Sequence, residues 1–235
     1  MIAVRWTWRG VLLPTALLLL ALLLLWQLTL LARIWWWRDH APGATAFMEV
    51  RADQRATDGR GPLAAHPWVP YGRIPVVLKR AVVASEDARF LGHEGFDWQG
   101  MQDALRKDIR RGQLVAGGST ITQQLAKNLF LSERRSLPRK LEEALIALML
   151  ERLWGKRRIL EVYLNVIEWG DGVFGCEAAA RHYYGVGVEH IGPEQAARLA
   201  AMIPSPRFFD RHLRSRALAR RTATVLARMP SAAVP

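Results

Sequence analysis

Thr120, Gln123, Gln124, Lys127 and Asn128 stand at i, i+3, i+4, i+7 and i+8 within the stretch GGSTITQQLAKNLFL, Gly117 to Leu131. That spacing makes one polar stripe on an α-helix. The stripe carries amides, a hydroxyl and one cation, with no acid. An ordinary solvated face usually carries Glu and Lys. Thr120 and Gln123 have the Thr-x-x-Gln spacing of a capping box, so a helix is predicted from about 120 to 131. Ile121, Leu125 and Leu129 form an apolar stripe beside the polar one. A glycine lead-in to Ser119 and Thr120, free N–H groups at a helix start and a nearby Lys suit an anion such as a phosphate. A capped surface helix with a polar face has the same pattern, and the residues leave both readings open. There is no Gly-Lys-Ser/Thr, so this is not a nucleotide P-loop.

Carboxylates gather in two other places. Glu86, Asp87, His93, Glu94 and Asp97 lie in SEDARFLGHEGFDW, where an apolar segment ends. Such a cluster on a basic chain suits acid–base chemistry or a metal. His93-Glu94 lacks the second His of a zinc protease motif, which argues against zinc. A hydrogen-bond network around His93 and Asp97 that stabilises the loop is the more ordinary reading. The spacing does not choose among Glu86, Asp87 and Glu94. The second place is Glu142-Glu143, near the start of a predicted helix, where the helix dipole favours a carboxylate. Arg139 precedes Glu143 by four, so the pair is either a helix-start ion pair or a carboxylate carried into a site.

The elements that must position these groups are mainly helical. Pro75 suits the first turn of a helix running to about Ser85. Further helices are predicted at about 97–111, 120–131, 138–154, 156–168, 174–184, 193–203 and 211–229. Arg139 to Trp154 is apolar nearly all round after its first turn, the pattern of a helix central to a core. No convincing alternating strand and no repeat appears. From about Asp39 to Pro75, prolines and glycines punctuate the chain, and a connector with little regular structure is expected.

Val11 to Leu31 is a charge-free run, mostly Leu, of about the ~20 residues a helix needs to cross a bilayer. Trp6 and Trp8 precede it; Trp35, Trp36 and Trp37 follow, as interfacial aromatics do. The run is longer than a usual signal-peptide core and Leu31-Ala32-Arg33-Ile34 is a poor cleavage site, so a retained signal anchor is expected. Arg5 and Arg9 before the span are offset by Arg33 and Arg38 after it, so charge bias sets the orientation only weakly. The 235 residues carry 33 Lys and Arg against 21 acids, for a net charge of +12. That balance suits nucleic acid, an anionic membrane or a phosphorylated substrate. Half of it comes from Ser205 to Pro235, a basic segment suited to anionic headgroups. No nucleic-acid motif is present, and the anchor argues for membrane. The sole cysteine, Cys176, excludes an internal disulfide and a multi-cysteine zinc site.

In order and spacing, SEDARFLGHEGFDW, GGSTITQQLAKNLFL, RKLEEALIALMLER and KRRILEVYLNVIEWGDGVFGCEAAARHYYG resemble the peptidoglycan glycosyltransferase family, from about Trp68 to Met229. No Ser-x-x-Lys of a penicillin-binding transpeptidase occurs, so the chain resembles the monofunctional form. The resemblance implies a lysozyme-like, mainly α glycosyltransferase domain with a small membrane-associated jaw, preceded by one transmembrane helix. The implied organisation is a cytoplasmic N-terminus at 1–10, an anchor at 11–31, a connector at 32–67 and the catalytic domain at 68–230. The implied reaction polymerises lipid II into β-1,4-linked glycan strands with inversion, the growing strand being carried on undecaprenyl diphosphate.

Residue by residue, Glu86 matches the family's general base. Glu143, not Glu142, matches a second carboxylate that assists diphosphate departure, directly or through a divalent cation. Lys127, Arg135 and Arg139 match basic positions at the diphosphate-sugar region, and Gln123 and Gln124 match polar lining. Ser119, Thr120, Asn128 and Lys140 complete the implied substrate-binding set. No tightly bound cofactor is implied; Mg2+ or Mn2+ would arrive with the diphosphate. Implied partners are lipid II, the lipid-linked glycan, a phospholipid membrane, and penicillin-binding proteins or division machinery, with no nucleic acid. The implied location is the inner membrane, single-pass, with the domain on the periplasmic side. Cys176 and Ser205 depart from the family pattern, which usually has a small or aliphatic residue and an Asn there. Two other functions fit part of this pattern: a lytic murein glycosidase on a related fold, which also uses carboxylates, and an inactive membrane-tethered scaffold.

Overall fold

The computed structural model describes residues 8–111, 118–134 and 136–235. The chain divides into two units, Met1–His40 and Ala41–Pro235. The first unit holds helix α1, Trp8–Trp37, with Pro14 inside it. Its stretch Leu12–Trp37 has a mean hydropathy of 2.3 and is long and apolar enough to cross a membrane. The helix runs on past Leu31, so Trp35, Trp36 and Trp37 form its last turn.

Among its described residues, the regular structure of the second unit is helical apart from one hairpin. Helix α2, Ala46–Thr57, starts at Thr45, whose hydroxyl accepts from the Met48 N–H at 3.2 Å. This corrects the expectation of a connector with little regular structure. Pro42, Gly43, Gly59 and Gly61 flank a stretch free of both residues, and the punctuation of the flanks hid the capped helix between them. Helix α3, Val76–Glu86, follows Pro75, and its burial of Leu78, Ala81, Val82 and Val83 makes it a core helix. Helix α4 is Trp98–Arg111, begun by Asp97, whose Oδ1 accepts from the Gly100 N–H at 2.9 Å.

Helix α5, Ile121–Phe130, has the full capping box: the Thr120 hydroxyl accepts from Gln123 N–H, and Gln123 Oε1 accepts from Thr120 N–H at 3.0 Å. Ile121, Leu125 and Leu129 are fully buried, as the apolar stripe predicts. Helix α6, Leu137–Leu153, packs on α5. Only its face of Glu143, Ile146, Ala147 and Leu150 is buried. Leu137, Leu141, Leu145 and Leu148 are exposed, Leu137 by 83% and Leu141 by 69%. The expectation that α6 is central to the core is therefore wrong on that face. All-round apolarity also suits a helix that meets lipid, and composition does not separate the two.

Helix α7, Lys156–Val166, is largely buried and leads to the antiparallel pair β1, Glu168–Gly170, and β2, Val173–Phe174. These strands have no alternation for a sequence to display, since every residue in them is buried. Gly175, at φ +80°, turns the chain into helix α8, Cys176–Tyr184; a Cβ there would stand 2.8 Å from the Asn165 carbonyl oxygen. Helices α9, Pro193–Met202, α10, Pro206–Arg211, and α11, Arg216–Arg228, complete the unit. The helix expected over 211–229 is interrupted because Ser215 caps α11, accepting from the Leu218 N–H. Helices α3, α9 and α11 pack together on one side of the core, and α5, α6 and α7 on the other.

Candidate active site

Glu86 is the last residue of α3, facing α5. Its Oε1 accepts from the Ser85 hydroxyl at 2.9 Å, and its Oε2 accepts from Gln124 Nε2 at 3.0 Å. Gln124 is itself oriented: its Oε1 accepts from the Tyr163 hydroxyl at 2.8 Å. Tyr163, on α7, is fully buried. Burial, followed by the nearby Glu86 and Asp87 carboxylates, pushes the Tyr163 phenol well above its ordinary range, so it remains a donor. Burial likewise raises Glu86 above the usual carboxylate range, opposed by the hydrogen bonds from Gln124 and Ser85 and by the Arg221 charge. The result is a carboxylate of raised basicity held in one orientation.

The neighbouring acids are spent on structure. Asp87 Oδ2 accepts from the Ile121 N–H at 3.0 Å, and Oδ1 lies 2.9 Å from His93 Nε2. Asp87 thus fastens the start of α5 beside Glu86. Asp97 pairs with Arg89 at 2.8 Å while it caps α4. The loop network expected around His93 and Asp97 is present. Gly95, at φ +87°, offers its carbonyl to the Thr120 hydroxyl at 2.7 Å.

Two cavities adjoin at Ser119. The smaller, about 100 Å3, includes Glu86, Asp87, Ser119 and Thr120 in its wall. The larger, about 540 Å3, is lined by Ser119, Gln124, Lys127, Arg139, Lys140 and Glu143, with Ser136 and Leu137 at its edge. Here Glu143 is buried, with one oxygen 2.7 Å from Arg139 Nη1 and the other bonded to the Lys140 ammonium. Lys140 Nζ also reaches the Ser119 hydroxyl at 3.3 Å. Burial lowers the Lys127 ammonium below the usual lysine range, with the Glu143 charge opposing it. Lys127 also lines a third cavity of about 560 Å3, with Asn128, Tyr163, Ser205 and Arg207.

The fold therefore brings together Glu86, Ser119, Gln124, Lys127, Arg139, Lys140 and Glu143, with Thr120 beside Glu86 and Asn128 beyond Lys127. Gln123 departs from its expected place: its amide turns back into the α5 cap and is absent from the walls of these three cavities. Arg135 lies outside the described residues. Tyr163 and Ser85 were not singled out in the sequence. Tyr163 stands in an apolar helix pattern, where an aromatic reads as core, and only tertiary packing aims its hydroxyl at Gln124. Cys176, one of the two departures from the family pattern, is buried with its thiol pushed up to about 12, and is inert.

Glu143 already bonds a cation at each oxygen, Arg139 at one and Lys140 at the other. Among the described residues no group of three His, Cys, Asp or Glu side chains could hold a metal ion.

A mainly helical domain that brings an oriented carboxylate and a set of cations to adjoining cavities has the parts of an enzyme site for a substrate carrying an anionic group. Residues 59–230 match the family model described as Transglycosylase, and the chain belongs to that family. It is 56% identical over 217 residues to the biosynthetic peptidoglycan transglycosylase of Dechloromonas aromatica (strain RCB), covering 92% of this chain and 94% of that one. It is 54% identical over 228 residues to the protein of the same name from Methylobacillus flagellatus, covering 97% of each. A third relative, from Azoarcus sp. (strain BH72), is 54% identical over 233 residues, covering 98% of each.

Proposed function

We propose that this enzyme is a membrane-anchored peptidoglycan glycosyltransferase that polymerises lipid II in cell wall synthesis. Glu86 is its general base. The acceptor's sugar hydroxyl oxygen attacks the anomeric carbon of the growing strand while its proton passes to Glu86. The bond from that carbon to the diphosphate oxygen breaks, and the electron pair leaves with undecaprenyl diphosphate. One displacement converts the α-linked diphosphate to a β-1,4-glycoside. Lys127, Arg139 and Lys140 stabilise charge that develops on the leaving group. Glu143 acts on the diphosphate side through the two cations it orients, and no step is routed through a metal.

The observation that carries this reading is the cavity of Lys127, Arg139, Lys140 and Glu143, which shares Ser119 with the Glu86 pocket and is lined by Gln124, the amide that donates to Glu86. A lytic glycosidase needs no diphosphate site beside its acid, so the basic lining favours synthesis. The relatives' name fits the same conclusion. On this reading α1 is the anchor, 32–67 the connector and 68–230 the catalytic domain, and the reaction runs at the outer face of the inner membrane. The exposed leucines of α6 belong to the membrane-associated jaw.

The test is chain formation from labelled lipid II by the purified, detergent-solubilised protein. Glu86→Gln is expected to lower the rate by about 10^2- to 10^4-fold. Near-wild-type strand formation by this variant would overturn the base assignment. Lys127→Ala is expected to reduce kcat/KM through lost diphosphate contacts; unchanged kinetics at limiting lipid II would remove the anion site. Digestion of sacculi by the wild-type protein would instead favour the lytic activity.

A further inference from the structure

Lys127 is the cation shared by two cavities, yet it is held differently from its neighbours. Arg139 and Lys140 are both paired with Glu143. Among the described residues, the Lys127 ammonium has no hydrogen-bond acceptor and no carboxylate within ion-pair distance. It faces an aromatic ring: Lys127 Nζ lies 5.3 Å from the ring centroid of Phe47, within reach of a cation–π contact.

Phe47 sits in the first turn of α2, a helix that precedes the 59–230 family match. Several contacts hold that turn in place. Phe47 is 8% exposed, and the capping Thr45 is fully buried. One turn further on, buried Arg51 donates from Nε to both oxygens of Glu168, at 2.9 and 3.0 Å, and from Nη2 to Glu133. Glu133 belongs to the segment between α5 and α6, and Glu168 opens β1. Arg51 thus ties α2 to both sides of the cavity that Phe47 and Lys127 share. An aromatic face stabilises a buried ammonium without accepting a conventional hydrogen bond from it. A carboxylate partner would both neutralise the charge and occupy its donors.

We propose that Phe47 is a positioning residue for the transfer reaction: its ring holds the Lys127 ammonium charged in the site while leaving N–H donors on the side away from the ring for the substrate diphosphate. The proposal rests on the diphosphate-binding role given to Lys127 above.

The test uses full-length protein in detergent with labelled lipid II, and phenylalanine, mono-, di- and trifluorophenylalanine placed in turn at position 47. Fluorine withdraws charge from the ring face with little change of shape. The expected result is a stepwise fall in kcat/KM with each fluorine, and a total loss of about 3- to 30-fold in Phe47→Leu. Phe47→Trp and Phe47→Tyr are expected to retain more activity than Phe47→Leu. The other charges bearing on Lys127 are Glu143, Arg139, Lys140 and Glu133, with Arg51 on α2, Glu168 on β1, and Arg207 and Arg211 on α10 lining the shared cavity. All of them remain in the series, so weakening the ring contact alone should move the alkaline limb of the kcat/KM profile to lower pH. A flat fluorine series with an unmoved limb overturns the positioning role, even if Phe47→Leu loses activity by misfolding. Lys127→Ala in the same assay separates the two claims. If it is damaging while the fluorine series is flat, only the Phe47 role falls. If it is harmless, the anion site falls and the Phe47 role with it.

Discussion

Burial displaces Glu86 and Lys127 in opposite directions, and with their proposed roles a narrow working range of pH is expected. As the proposed base, Glu86 must be ionised to take a proton, and its raised pKa is expected to move the acid limb of kcat/KM above the ordinary carboxylate range. For its proposed role Lys127 must be charged, and its lowered pKa is expected to bring the alkaline limb below the ordinary lysine range. Tyr163→Phe tests the chain of bonds behind the base. Without the phenolic donor, the Gln124 amide is no longer held with its NH2 toward Glu86. The Gln124 bond lowers the Glu86 pKa, so its loss is expected to shift the acid limb to higher pH and cut kcat/KM by about 10-fold; an unshifted limb would confine Tyr163 to packing. Glu86 also bears on stability. Its folded pKa lies above an unfolded value of about 4.3, so the native state binds the extra proton and loses stability as pH rises through that window. Glu86→Gln mimics the neutral form and is expected to melt no lower than wild type at neutral pH, with the difference vanishing below the unfolded pKa. Thermal unfolding at both pH values checks this, and a lower Tm at neutral pH would show that the carboxylate is structural.

Among the elements, the hinge on which the site depends is the junction of α3 and α5. The apolar stripes that bury each helix were readable in the sequence, and so was the capping box that starts α5. The bond from Asp87 to the Ile121 N–H, which sets α5 against Glu86, was not, since it joins residues 34 positions apart. Helix α2 was missed for a related reason: its cap and its buried Phe47 and Arg51 gain meaning only from α5 and β1. The turn at Gly175 offers the sharpest element-scale test. Its backbone angles are those only glycine adopts readily, and a Cβ would press on Asn165 at the end of α7. Gly175→Ala is expected to destabilise the domain by about 1–3 kcal/mol, seen as a lower denaturant midpoint. A midpoint equal to wild type would mean that the hairpin relaxes freely.

Over the whole molecule, one apolar helix and one exposed leucine face have the same chemistry. Leu137, Leu141, Leu145 and Leu148 would be an unusual contiguous exposure on a protein surrounded only by water. In full-length protein reconstituted into vesicles, a fluorophore at position 141 is expected to be quenched by lipids carrying a quencher in their acyl chains. A label at exposed Glu194, on α9, is the reference. Equal, weak quenching at both positions would remove α6 from the membrane surface. The net charge of +12 favours an anionic surface or substrate, and the site accounts for part of it in Lys127, Arg139 and Lys140.

By itself the sequence determined the helical class, the apolar run inside α1, the cap of α5 and the family, because these rest on local spacing, run length and motif order. The polar stripe from Thr120 to Asn128 was visible, but its division of labour was not: Gln123 serves the cap while Gln124 serves Glu86. Choosing Glu86 over Asp87 needed the family resemblance. Both carboxylates have both oxygens hydrogen-bonded, but Asp87 fastens the start of α5 and His93, whereas Glu86 bonds Gln124, whose side chain also lines the cation-lined cavity. Hydrogen bonds between distant segments, burial that shifts a pKa, and the aromatic support beneath Lys127 arise when helices pack, so only the tertiary structure decides them.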